Sequence, residues 1–326
     1  MTDPTESTDD LLTENPANEG RHVPGDERYW NESWYLDFAS DDGRLGGYMR
    51  TGLYPNLGVC WYWACVVGEG RPLVTIIDHS VPIPAAPAVA VRTDGLWTDY
   101  VVETPWRHVS LGLEGFGVAL EDPTETYGPG APDGLRGERT ALGFELDWET
   151  QGEPFPFPFG ITRYEVPCRV QGEILVGDER IEFDGSGQRD HSWGVRDWWA
   201  MSHNWSEGAL DDGTRFHGTH ALPGWGDWSI GYVQPPGGAP HGDFGSYHTE
   251  TEFDPEGLPV SARMTLPGID LAVEPVAHAP VLLVSPEGEQ ARFPRSLVRY
   301  RENDGPRSGV GWIEYGQPQK EPPAGG

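Results

Sequence analysis

Residues 184–199 read DGSGQRDHSWGVRDWW, and the fold turns on how this stretch is read. A packed core has no use for Arg189, Asp190, His191, Trp193, Arg196, Asp197, Trp198 and Trp199 set so close together between glycines. Gly185, Gly187 and Gly194 permit positive φ or a close backbone approach, so the segment is expected to be a kinked strand presenting side chains to a cavity. Two-residue alternation then puts Arg189, His191 and Trp193 on one face and Asp190 and Ser192 on the other.

Strand signals continue outward in both directions. Residues 34–38 alternate large and polar side chains, and Asp41-Asp42-Gly43 turns the chain into residues 45–53 as a hairpin. Residues 59–67 (VCWYWACVV) are apolar on both faces and read as a central strand. Residues 142–149 alternate strictly, with Phe144, Leu146 and Trp148 opposite Glu145, Asp147 and Glu149; the expected reading is a strand with a solvated acidic face, the alternative one that puts the acids inside a barrel. Downstream, residues 205–210, the turn Asp211-Asp212-Gly213 and residues 214–220 repeat the hairpin pattern of the first half. About fifteen short strands and no long amphipathic helix indicate an all-β chain of sandwiches or closed barrels. The Pro-Phe run within 151–160 is a stiff connector. The expected division is a disordered acidic tail at 1–27, one barrel at 28–160, a second at 161–318 and a polar tail at 319–326.

The 326 residues carry a net charge of −30, which argues against nucleic acid or an anionic membrane surface as partner. Fourteen tryptophans, twelve tyrosines and eleven phenylalanines favour strands and apolar cavities instead. Cys60, Cys65 and Cys168 are too few and too irregular for a disulfide framework or a zinc site. With no integral membrane segment and no apolar leader, a cytoplasmic protein is expected. No nucleophile elbow, phosphate loop or dinucleotide fingerprint occurs: Gly185-x-Gly187 lacks a third glycine and a following helix.

The order Gly-x-Gly, Asp190-His191-x-Trp193-Gly194, then Trp205 ahead of an Asp-Asp-Gly hairpin, and finally Gly-Trp-Ile-Glu-Tyr-Gly near the C-terminus, resembles the AttH-like and carotenoid 1,2-hydratase (hydroxyneurosporene synthase) superfamily. The nearest members are expected to be uncharacterised actinobacterial proteins. The resemblance implies two tandem lipocalin-like (calycin) antiparallel β-barrels with an active cavity between or within them. It also implies a His-x-Trp pair acting with a Tyr-x-Asp pair to protonate an isoprenoid double bond so that water adds. His191 and Trp193 match the first pair; Tyr35 and Asp37, in the other half of the chain, are the only Tyr-x-Asp.

Acid chemistry on an alkene requires a carboxyl whose pKa is raised by an apolar setting, and aromatic faces that stabilise positive charge. Asp190, His191, Trp193 and Asp197 are the candidate catalytic residues. Trp63, Arg189, Arg196, Trp198, Trp199, Trp205 and His217 are candidates for binding a hydrophobic small-molecule substrate. No cofactor is expected. Nor is a metal, because three-residue spacing on a strand points His217 and His220 to opposite faces. Asp211 and Asp212 suit a turn. The same residues fit two other readings: a non-catalytic carrier of a hydrophobic molecule, and an ion-paired clasp of Asp190 and Asp197 with Arg189 and Arg196 joining the barrels.

Overall fold

The computed structural model describes residues 15–132, 134–242, 245 and 247–320. Among these the chain is all-β, with three short 3-10 turns and no α-helix. No helix is long and apolar enough to cross a membrane.

The first sheet is built from β1 (Trp30–Ser40), β2 (Leu45–Tyr54), β3 (Val59–Gly68), β4 (Leu73–Val81), β5 (Val89–Thr93), β6 (Leu96–Thr104), β7 (His108–Leu120), β8 (Glu138–Thr150), β9 (Phe155–Pro156), β10 (Thr162–Val176) and β11 (Glu179–Val195). Antiparallel pairing runs β4-β3-β2-β1-β11-β10-β8-β7, and β4 pairs back onto the end of β7, which closes a barrel. β5 and β6 extend from β7, and β9 lies along β10. The second sheet comprises β12 (His203–Leu210), β13 (Arg215–Ala221), β14 (Ser229–Gln234), β15 (His248–Phe253), β16 (Pro259–Leu266), β17 (Ile269–His278), β18 (Val281–Val284), β19 (Gln290–Phe293), β20 (Arg295–Glu302) and β21 (Ser308–Pro318). Its order is β14-β13-β12-β21-β20-β17-β16-β15, with the β18-β19 hairpin joined through β21. Near its two ends, β13 and β15 meet through side chains, with His220 Nε2 and Thr249 Oγ1 2.7 Å apart.

This pairing moves the expected boundary. A division at 160/161 would strip β10 and β11 from the first barrel, since β11 is hydrogen-bonded to β1 and β10 to β8. The Pro-Phe run is a short rung on β10, and the crossover between sheets is residues 196–202. Nor is the whole of 1–27 a loose tail: residues 15–27 lie outside the sheets, yet Glu19 is 2% exposed and hydrogen-bonded inside the barrel mouth. Residues 1–14 lie outside the described residues.

Both Asp-Asp-Gly hairpins form, β1-β2 and β12-β13. Asp42 and Asp212 serve as turn acceptors, and Gly43 and Gly213 adopt φ of +65° and +87°. In β11 the glycines act as anticipated. A Cβ on Gly185 or Gly187 would lie 2.3 or 2.2 Å from a carbonyl oxygen of β1, and Gly194 has φ of +130°.

Burial patterns show which faces meet. β8 and β6 alternate buried and exposed positions, as expected for strands with one solvated face; Phe144, Leu146 and Trp148 point inward. β1, β2 and β3 are buried on both faces. Their inner face (Trp34, Leu36, Phe38, Met49, Tyr62) joins the barrel core. Their outer face (Tyr35, Tyr48, Trp61, Trp63, Cys65) packs with Phe293, Leu297 and Trp312 of the second sheet. Tyr48 donates to the Ala279 carbonyl at 2.8 Å, and Trp312 Nε1 to that of Phe38 at 3.1 Å. At ~25 cal/mol per Å² and ~150–250 Å² per large aromatic, each buried indole is worth roughly 4–6 kcal/mol of gross transfer free energy, so the sheets form one body.

Candidate active site in the cleft between the sheets

β11 is the wall between two polar sites. Arg189, His191 and Trp193 look into the barrel mouth, whereas Gln188, Asp190 and Ser192 look into the cleft facing the second sheet. Cross-strand partners confirm the alternation: His191 lies opposite Trp34 and Tyr164, and Asp190 opposite Tyr35 and Glu165.

At the mouth, the His191 ring stacks on Trp34 with centroids 4.5 Å apart, while Trp193 stacks on His22 at 3.7 Å. His191 Nδ1 donates to the Asn18 carbonyl at 2.9 Å and Nε2 faces Glu32 Oε1 at 3.0 Å. Glu32 also accepts from the backbone and ring nitrogens of His22. Arg189 and Tyr164 both donate to Glu19 Oε1 at 2.7 Å. Burial alone would raise the Glu19 pKa, but Arg189 brings it below the ordinary carboxylate value. His22, Glu32 and His191 hold three donor atoms within 4.8 Å of one another, and of the described residues they are the set able to hold a metal. His22 falls in the polar, proline-containing stretch 1–27, whose composition carries no sign of a site.

The cleft holds the carboxylates Asp190, Glu165 and Glu314 among aromatic walls. Arg163, on β10 and 5% exposed, bonds to Asp190 Oδ2 at 2.7 Å and to Glu165 Oε1 at 2.6 Å. Gln188 Nε2 donates to the other Glu165 oxygen at 2.7 Å. From the second sheet, Trp205 Nε1 donates to Glu165 at 3.2 Å and Tyr232 to Gln188 Oε1 at 3.1 Å. Arg295 pairs with Glu314 at 2.7 Å. Burial pushes the Asp190 carboxyl up to about 6 against the pull of Arg163, and likewise raises Glu165 and Glu314. Burial beside Arg163 and Arg50 brings Arg196 down to about 9, which leaves it protonated at neutral pH. The side chains leave a void of about 20 Å³, roughly the room one water needs. Arg196 and Trp198, which cover it, belong to the strand-free crossover at 196–202.

Of the expected residues, Asp190, Trp63, Arg196, Trp198 and Trp205 line this cleft. His217 lies behind Glu165 at 3.7 Å, with burial holding its pKa far below the usual imidazole value, and His220 sits on the opposite face of β13. Arg189, His191 and Trp193 face the other way, so Asp190 and His191 open onto different sites: neighbours on a strand point to opposite faces. Asp197 is exposed and caps a turn through the Trp199 amide at 3.0 Å. Trp199 is packed away beside Tyr29 and Trp61. The clasp expected of Arg189, Asp190, Arg196 and Asp197 between the barrels does not form: Asp190 pairs with Arg163 and Arg189 with Glu19, both within the first barrel and its N-terminal segment.

Tyr35 and Asp37, remote in sequence, come beside Asp190 because β1 pairs with β11. Asp37 is wholly buried, accepts from the Gln188 amide at 2.7 Å, and burial holds its pKa well above the carboxylate range. Arg50, Arg163, Glu165, Arg295 and Glu314 went unread in the sequence. Their signal was a charge inside an otherwise apolar strand, as in YEVPCRV and GVGWIEY.

A family model described as "Domain of unknown function (DUF7064)" matches residues 15–319. No curated protein matches the chain. Among solved structures, a protein assigned as AttH (NE1406) from Nitrosomonas europaea superposes with a TM-score of 0.64 at 15% identity, over 96% of this chain and 98% of its own. CghA gives 0.56 at 10% identity, covering 91% and 93%. Kievitone hydratase from Nectria haematococca gives 0.53 at 11%, covering 88% of each. These likenesses bear out, at the level of fold, the resemblance carried by Asp190-His191-x-Trp193-Gly194.

Proposed function

We propose that this chain, which belongs to the DUF7064 family, is a cofactor-independent hydratase, isomerase or cyclase that uses acid–base chemistry on a terpenoid or similar hydrophobic alkene. The observation that carries the reading is Asp190: a buried carboxyl at the floor of an aromatic-walled cleft, with its pKa pushed up to about 6. A general acid works best when its pKa lies near the working pH. In its neutral form Asp190 gives a proton to an alkene carbon; the carboxylate left behind takes a proton from the adding water, or from the neighbouring carbon when isomerisation or ring closure ends the reaction. Arg163, locked by Glu165, positions the acid. The closed void admits no more than one water, so in this scheme the crossover at 196–202 shifts outward to admit the substrate, and Trp63, Trp198 and Trp205 supply the faces on which it then lies. His191, stacked on Trp34 and facing Glu32 in the barrel mouth, takes no part in this scheme. A hydratase among the fold relatives supports a reaction of this type.

The test starts from small molecules that co-purify with the protein, identified by untargeted mass spectrometry and returned to it in deuterated water. Solvent deuterium is expected on a product carbon, and Asp190→Asn is expected to lower turnover by about 10² to 10⁴-fold. A carrier would hand the molecule back unchanged. Product without deuterium at carbon, or an undiminished rate in Asp190→Asn, refutes the acid mechanism.

A further inference from the structure

The cleft has more fixed positive charge than its carboxylates account for. Arg163 is matched by Asp190 and Glu165, and Arg295 by Glu314. Arg50 and Arg196 have no carboxylate within 4.0 Å among the described residues. Arg50 is 3% exposed, its Nη1 has no hydrogen-bond partner, and its Nη2 reaches Asn31 Oδ1 at a long 3.4 Å. Arg196 makes one weak contact, to Ser192 Oγ at 3.5 Å. Asp190 and Glu314 act on Arg196, and Asp190 on Arg50, only from beyond ion-pair distance, and a buried cation without a direct partner is costly. Both guanidinium carbons sit over indoles: that of Arg50 is 4.7 Å from the Trp63 ring centroid and 5.2 Å from that of Trp198, and that of Arg196 is 3.9 Å from Trp198. A guanidinium held over an indole keeps its N–H fork for other partners, and a planar oxyanion matches that fork; Arg50 Nη1 has no partner of its own. Gly52 makes room for this arrangement, since a Cβ there would lie 2.2 Å from Arg50 Nη1.

We propose that the cleft takes a substrate bearing a planar organic anion, a carboxylate or an enolate, held by Arg50 and Arg196, with its unsaturated body against the tryptophans and its reacting carbon toward Asp190. The proposal rests on the cleft being the reaction site. It also removes a difficulty, because two unmatched arginines would repel a free carbocation, whereas an alkene conjugated to the anion keeps its developing charge where they stabilise it.

The experiment compares trans-cinnamate with its neutral counterpart trans-cinnamamide by calorimetric titration and tryptophan fluorescence, using wild type, Arg50→Met, Arg196→Met, Gly52→Ala and Asp190→Asn. Cinnamate is expected to bind at least about tenfold more tightly than the amide, in keeping with a charge-assisted hydrogen bond. Each arginine variant should lose that preference with little change toward the amide, and Gly52→Ala should weaken cinnamate by displacing Arg50. Melting of Arg50→Met at or above the wild-type temperature supports a binding role, and a large fall in melting temperature opposes it. Asp190→Asn should retain cinnamate binding, which separates the anion site from the acid chemistry: either can fail alone. Equal affinity for the two ligands, binding of neither, or a preference that survives in both arginine variants overturns the proposal.

Discussion

Asp190 lies 2.7 Å from the Arg163 guanidinium, yet its carboxyl is held up at about 6 because desolvation outweighs the ion pair, which Arg163 also shares with Glu165. This fixes two pH responses. If the neutral acid starts the reaction, kcat/KM falls as pH rises through about 6, and a pH–rate profile checks it. For stability, the native carboxyl keeps a proton that the unfolded chain releases near pH 3.9, so this group's contribution declines between roughly pH 4 and 6. Asp190→Asn cannot ionise. Its stability relative to wild type should therefore rise across that window, by on the order of 3 kcal/mol, as read from urea midpoints at a series of pH values. The alternation that placed Asp190 and His191 on opposite faces was legible from spacing alone. Their separation into two sites was not, because that depends on what each face of β11 meets.

The segment at 15–27 behaves as an element although it forms no strand. It reaches across the barrel mouth and lowers Glu19 onto Arg189, Tyr164 and the Trp106 amide. Composition misleads here, since one buried carboxylate in a polar, proline-containing stretch leaves no periodic signal. Removing one partner of a buried pair costs about 3 to 5 kcal/mol, so Glu19→Ala should lower chemical stability by about that amount. Because the native pKa of Glu19 lies below its unfolded value, its contribution is present above about pH 4.5 and lost as pH falls through the native value. The deficit of Glu19→Ala should shrink in acid, and urea titrations at pH 7 and pH 3.5 read the difference. Strands, by contrast, were readable wherever one face is solvated, as in β8; on β1 and β3, apolar on both sides, the sequence shows burial without showing which neighbour lies where.

For the molecule as a whole, the all-β class and the paired hairpins followed from alternation and turn chemistry, but the boundary did not, because the pairing of β1 with β11 joins residues some 150 positions apart. A fragment ending at residue 160 would leave β1 and β8 with open edges, and it should aggregate when expressed. One ending near residue 196 retains the closed barrel, while baring the outer face of β1–β3; it should stay in solution with a surface-active apolar patch, a contrast that size-exclusion chromatography resolves. Closure by a late strand has a consequence for how the protein is made. On the ribosome, Glu19 precedes Arg189 by 170 residues, which at roughly 5 to 20 residues per second is on the order of 10 to 30 seconds of translation. Through that interval the β1 edge has no partner and the acid no base. The nascent chain must wait, half-rolled, for β11 to emerge before barrel and mouth are completed together, and the cleft waits longer still, for Trp205, Arg295 and Glu314 of the second sheet.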